Sequence, residues 1–233
     1  MRSAGLDLVK WTAMLTMVAD HLRFLWPAAD GLFIVGRLAF PLFCLAIAAN
    51  VARATSIHVR YLGWMLAFAV VSEGPYRWLD PHTQTFSVIP TLALGVLVAW
   101  GVRHPQWWAR LAGLAAVLTG ALFSQQLMYG LPGVLLPAGW LMARHVGGIT
   151  WLLPCLLAVA GNLTNSWLRG HPLAPVTLLT MAAALSAIPV GCLLLRLDHL
   201  HVPAVKRWGY LFYPAHLLVL KVLMLVLAAA VGG

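Results

Sequence analysis

The sequence predicts an all-α protein, a polytopic helical bundle embedded in a membrane, and three observations predict it. Of its 233 residues 62% are hydrophobic and only 9% charged, and the mean hydropathy is +0.88. Soluble domains are about 45–50% apolar and about 25% charged. Apolar runs of about 20 residues, the length a helix needs to cross a bilayer, recur from Leu6 almost to the last residue. Positive charge gathers in the short segments between alternate runs, as it does in membrane proteins of fixed orientation.

Breaks at Gly, Pro and charged residues divide the chain into about nine transmembrane helices, near residues 6–26, 31–52, 60–79, 86–102, 107–124, 128–143, 146–163, 173–195 and 206–230. The first run carries Lys10, Asp20, His21 and Arg23 and lacks a small-residue cleavage site, so it reads as a span and not as a cleaved signal. The sixth and seventh runs are interrupted by Pro132, Pro137 and Pro154. No long insertion or repeat divides residues 1–233, which read as a single transmembrane domain.

With the N-terminus in the cytoplasm, the inner segments carry Arg2, Arg53, Arg60, Arg103, Arg110, Arg144, Arg196, Lys206 and Arg207. The outer segments carry Arg77 and Arg169, with the carboxylates Asp30 and Asp80. That asymmetry predicts an N-in, C-out membrane protein with an odd number of spans. It also gives the net charge of +9 a topological meaning, directed at anionic lipid and not at nucleic acid. Cys44, Cys155 and Cys192 stand singly in apolar runs without metal-ligand spacing, so we expect buried thiols and no metal.

Ionisable groups are costly in the hydrocarbon layer and persist where they face a cavity or a partner. Asp20 and His21 are adjacent near the outer half of the first span, about 100° apart on a helix, so one can face a cavity while the other holds a neighbour. Histidine is the natural general base near neutral pH, and a carboxylate can orient it. Arg37, in Gly36-Arg37-Leu38-Ala39-Phe40-Pro41, stays protonated and needs Asp20, Glu73, carbonyls or a ligand. Glu73 precedes the Gly74-Pro75 break and reads equally as a proton acceptor or as the counter-ion of Arg37. Tyr213 and His216 are three residues apart on one face of the last helix. At about 1.5 Å of rise per residue, His216 is expected near or below the midplane, lower than His21. Asp198-His199-Leu200-His201 reads as a solvated loop. The sequence holds no Gly-x-Ser-x-Gly elbow, HExxH or phosphate-binding glycine loop. Imidazole, carboxylate, Arg and Tyr suit transfer of an activated acyl group onto an amine or hydroxyl.

These segments resemble the TraX family of membrane proteins: LDLVKWTAMLTMVADHL, GRLAFPLF, SEGPY, the TLALG stretch from Thr91, YGLPGVLL from Tyr129 and YLFYPAHLLVL from Tyr210, in the family's order. Gly74 and the His-Leu-Arg after Asp20 depart from the commoner pattern and leave the choice of acceptor open. The resemblance implies an acetyl-CoA-dependent N-acetyltransferase acting on the N-terminal amine of a conjugative pilin subunit. Under that reading acetyl-CoA enters past Lys10, Arg53 and Arg207, and its thioester lies near Asp20, His21 and Arg37. His21 is the expected base, oriented by Asp20 or Glu73, with Tyr213 and His216 lining the channel; exchanging the roles of His21 and His216 is the variant. A non-catalytic pilus-assembly or transport protein is the alternative, as is an acyltransferase with a lipid or glycan acceptor.

Overall fold

In the computed structural model, residues 3–26, 28–55, 59–206 and 208–232 are described, without the side chains of Asp30, Val59, Val231 and Gly232. Among them every regular element is a helix: α1 (Ala4–Leu22), α2 (Asp30–Gly36), α3 (Ala39–Arg53), α4 (Val59–Leu79), α5 (Val88–Arg103), α6 (Trp107–Leu122), α7 (Gly130–Val146), a 3₁₀ turn (Gly148–Trp151), α8 (Leu152–Asn162), α9 (Ser166–Gly170), α10 (Pro175–Arg196) and α11 (Trp208–Gly232). Each expected span falls on helix. Three segments, Gly31–Arg53, Pro175–Arg196 and Trp208–Ala230, are long and apolar enough to cross a membrane by length and composition.

Lipid and not water shapes the outer surface. Along α6, Leu111, Leu114, Leu118 and Leu122 face outward, while Ala109, Gly113, Ala116 and Gly120 face the bundle. Small residues let membrane helices pack closely, since burying Leu gains little when lipid is equally apolar. The α5–α6 contact depends on this: a Cβ on Gly101 would stand 2.8 Å from the Ala109 carbonyl oxygen and 3.1 Å from the Gly113 Cα.

Two expectations about element ends are corrected. The first helix stops at Leu22, four residues short of the predicted end, because the amides of Phe24 and Leu25 tighten onto the His21 and Leu22 carbonyls ahead of Pro27. Asp20 and His21 therefore occupy its last turn. The second span is broken at Arg37–Leu38. Pro41 has no N–H for the Arg37 carbonyl, and the Arg37 and Leu38 amides close three-residue turns onto Ile34 and Val35. The short helix α9 was not expected either.

The chain runs back and forth between two ends. Around the start of α1, Asp198 accepts hydrogen bonds from the Ser3 hydroxyl (2.7 Å) and the Gly5 amide (2.8 Å). Asp7 accepts from the Val205 amide at 3.1 Å. These bonds place the start of α1 beside the end of α10 and the approach to α11. Following the alternation, Arg53, Arg60, Arg103, Arg110, Arg144, Arg196 and Lys206 collect at this basic end, whereas Arg77, Asp80 and Arg169 lie at the opposite end. Arg2 and Arg207 lie outside the described residues.

Candidate functional site

Asp20 pairs with Arg37, and the close approach that permits it is made by Gly36, since a Cβ there would overlap Asp20 itself. The remaining Arg37 nitrogens are also engaged: Nε donates to the Phe33 carbonyl at 3.2 Å, and Nη1 reaches the Tyr129 hydroxyl at 3.4 Å. Tyr129 is held in a left-handed conformation (φ 65°), and its ring stacks on Phe40 at 3.9 Å between centroids. A bulky residue at positive φ stores strain that the surroundings must impose, and such residues concentrate at functional sites.

Beside this group, Nδ1 of His21 lies 3.0 Å from Nε2 of His216. The Nδ1 of His216 is 3.0 Å from the Phe212 carbonyl, which can only accept. That assigns the proton of neutral His216 to Nδ1 and makes its Nε2 an acceptor, so His21 donates from Nδ1. The lone pair of neutral His21 is left on Nε2. Burial of both residues, and the chain of two imidazoles ending on a carbonyl, fix the ring orientation. The two histidines thus share one level, which corrects the lower depth expected for His216. The start of α11 lies about two turns up α1, with the Trp208 ring 5.3 Å from that of Trp11 and Trp11 Nε1 donating to the Pro203 carbonyl, and the two helices run parallel, which brings the two levels together.

A cavity of about 550 Å³ opens against these residues toward the far end of the bundle, lined by Asp20, His21, Arg37, Tyr129 and Tyr213 and by a polar rim that includes Thr83, Thr85, Ser124, Asn162 and Arg169. A second cavity, of about 340 Å³, lies nearer the basic end and is lined by Lys10, Asn50, Tyr61, Lys206 and Tyr210. Met17, Phe43, Val88 and Tyr213 line both and form the wall between them.

Asp20, His21, Arg37, Tyr213 and His216 meet at the larger cavity, whereas Lys10, Arg53 and Glu73 do not. Lys10 lines the second cavity and pairs with Asp7 at 3.7 Å. Arg53 is exposed in the last turn of α3 and lines neither cavity. Arg207 lies outside the described residues. Glu73 neither neutralises Arg37 nor orients His21: it accepts from the Ser87 amide at 2.6 Å, ahead of α5, and pairs with Arg77 at 3.3 Å. That carboxylate satisfies a free amide at a helix start. His216, and not a carboxylate, is the partner of His21. Sequence reasoning passed over Tyr129, Asn162 and Arg23, which line the larger cavity; the Tyr-Gly step into α7 was the one available signal for Tyr129. Among the described residues no group of His, Cys, Asp and Glu is placed to hold a metal ion.

The fold and its paired cavities define a helical membrane protein with a buried polar chamber. The TraX protein family matches residues 5–224, and the chain belongs to that family. It is 30% identical over 172 residues to Protein TraX of Escherichia coli strain K12 and 28% identical over 167 residues to another Escherichia coli Protein TraX. Each alignment covers 69% of this chain and 66%, just under two thirds, of the relative. A probable fimbrial assembly protein FimC, serogroup H1, of Dichelobacter nodosus is 27% identical over 238 residues, covering 91% of this chain and 92% of the relative. No solved structure matches.

Proposed function

We propose that the protein is an acetyltransferase of the bacterial inner membrane that moves an acetyl group from acetyl-CoA to the N-terminal amine of a conjugative pilin subunit. The observation that carries this reading is the pair of cavities approaching one wall from opposite ends, with His21 and His216 beside that wall on the larger side. All nine helical segments cross the bilayer, with the N-terminus and the basic end in the cytoplasm. Lys10 and Lys206, with Arg53 and Arg207 at the same end of the sequence pattern, meet the phosphates of the donor. Its thioester reaches the wall from the smaller cavity, and the amine arrives from the larger.

The amine nitrogen attacks the thioester carbonyl while Nε2 of His21 takes its proton. The Nδ1–H of His21 stays bonded to His216, which spreads the positive charge of the imidazolium and holds the ring in line. Tyr213, on the wall, donates to the developing oxyanion. The tetrahedral intermediate collapses with cleavage of the carbon–sulfur bond. His21 returns the proton to the departing thiolate, giving the acetylated amine and free CoA thiol. The Asp20–Arg37 pair fixes the floor of the chamber beside the base.

The test is mass spectrometry of a pilin N-terminal peptide incubated with acetyl-CoA and the purified protein. The expected result is one acetyl group on the α-amine, with His21→Ala lowering kcat at least about 100-fold. Undiminished transfer in that variant removes His21 as the base. The fimbrial assembly name of the Dichelobacter nodosus relative favours a second reading, a pilus-assembly protein without catalysis. Pilin whose N-terminal mass is unshifted in the protein's presence supports it.

A further inference from the structure

The residue after the last turn of α1 is Arg23, and its surroundings differ from those of Arg37. Its guanidinium carbon lies 5.1 Å from the Phe24 ring centroid and 5.0 Å from that of Phe33, between two aromatic side chains. Its Nε is buried and has no hydrogen-bond partner, and no carboxylate lies within 4.0 Å among the described residues. Asp20, three residues earlier, is committed to Arg37. Aromatic faces attract a cation but leave its N–H donors unsatisfied, and a half-buried guanidinium is suited to an oxyanion above all. Arg23 faces the larger cavity, and so does the exposed Arg169 of α9.

Three guanidiniums line this cavity against the carboxylates of Asp20 and Asp80, and Arg37 and Asp20 cancel each other. Asp80 is bound to the His82 amide at 3.3 Å. The chamber therefore keeps a surplus of positive charge. That surplus disfavours an ammonium and favours the free amine, the form that attacks a carbonyl. The rim suits a peptide backbone: the Oδ1 of Asn162 is buried without a partner among the described residues, its Nδ2 being bonded to the Ala158 carbonyl. An unsatisfied buried acceptor of that kind is a place for a backbone N–H.

We propose that the larger cavity is an acceptor site for an acidic peptide segment, in which a carboxylate a few residues from the amine binds Arg23 and Arg169 while Asn162 accepts a backbone N–H. This rests on the transferase reading for the identity of the acceptor end, and binding tests it independently of catalysis. The probes are fluorescent nine-residue peptides with a free N-terminus, identical except for Glu, Gln or Lys at positions 2 to 5, titrated by anisotropy onto the full chain in nanodiscs. The Glu peptide is expected to bind about tenfold more tightly than the Gln peptide, as one partly buried charge-assisted contact gives. The Lys peptide is expected to bind weakest. The preference shrinks in 0.5 M salt and in Arg23→Gln and Arg169→Gln. Equal binding of the Glu and Gln peptides overturns the proposal, as does a preference unchanged in both arginine variants. Displacement of every peptide by glucose 1-phosphate at lower concentration also overturns it, in favour of a phosphorylated sugar. Arginine-dependent binding without acetyl transfer supports the site while rejecting the transferase.

Discussion

The two ends of the bundle use the same side chains to different effect. At the basic end, Asp7 and Asp198 accept from the backbone amides of Val205 and Gly5 and tie the α10–α11 connection to the start of α1. At the far end, Asp20 pairs with a buried guanidinium, and a histidine pair stands beside it along a cavity. A carboxylate on an amide holds a loop. A carboxylate on an arginine, beside an enclosed space, fixes the floor of a cavity. The two ends differ in what adjoins the acid: backbone amides of a connecting segment at one, a buried guanidinium beside a cavity at the other.

Variants can break this contrast in order of size. Under the transferase reading, His21→Ala is expected to abolish most transfer, with His216→Ala weaker at about tenfold in kcat and His216→Gln, whose carbonyl can still accept from His21, partly restored. Steady-state kinetics with KM unchanged is the check, and a loss confined to KM would make His216 a binding residue. Asp20→Ala strands Arg37 without its counter-ion and is expected to cost about 3–5 kcal/mol, read as a lowered unfolding midpoint in detergent. Asp20→Asn should cost less. Gly36→Ala pushes α2 away from Asp20, for about 1–3 kcal/mol, with a parallel loss of transfer.

The smallest effect belongs to the basic end. Hydrogen bonds from the Ser3 hydroxyl and the Gly5 amide hold the Asp198 carboxyl below its usual range. A depressed folded value stabilises the fold above the unfolded value of 3.8 and is lost as pH falls through the folded one. Asp198→Asn should therefore lower the thermal midpoint slightly at pH 7 and leave it unchanged near pH 2. Because the residue is exposed, 0.5 M salt should reduce the difference further. A midpoint change as large as that of Asp20→Ala would erase the distinction between the two ends.

Composition and hydrophobic runs carried the helical segments well, since membrane helices satisfy their own backbone and need only length and apolarity. Asp20, His21, Arg37, Tyr213 and His216 stood out because ionisable and hydroxyl groups are costly among apolar neighbours. Pairing was not legible. Glu73 and Asp20 were equal candidates for Arg37, and only the close pass of α2 over α1 at Gly36 decides between them. The histidine pair was hidden for a similar reason: residues 195 apart in sequence meet through the parallel run of α1 and α11. Arg23 drew no site reading from the sequence because two phenylalanines, Phe24 and Phe33, hold it in a way no spacing rule announces.

Under the transferase reading, the wall of Met17, Phe43, Val88 and Tyr213 also bears on how the cell keeps its membrane energised. Three apolar side chains and one phenol line both cavities where these adjoin. Each elementary charge that crosses a membrane dissipates about 2.3 kcal/mol per 100 mV. Under the transferase reading, a partition that admits a thin, uncharged acyl arm and refuses hydrated ions would let a chemical group be handed across while the proton gradient stays intact.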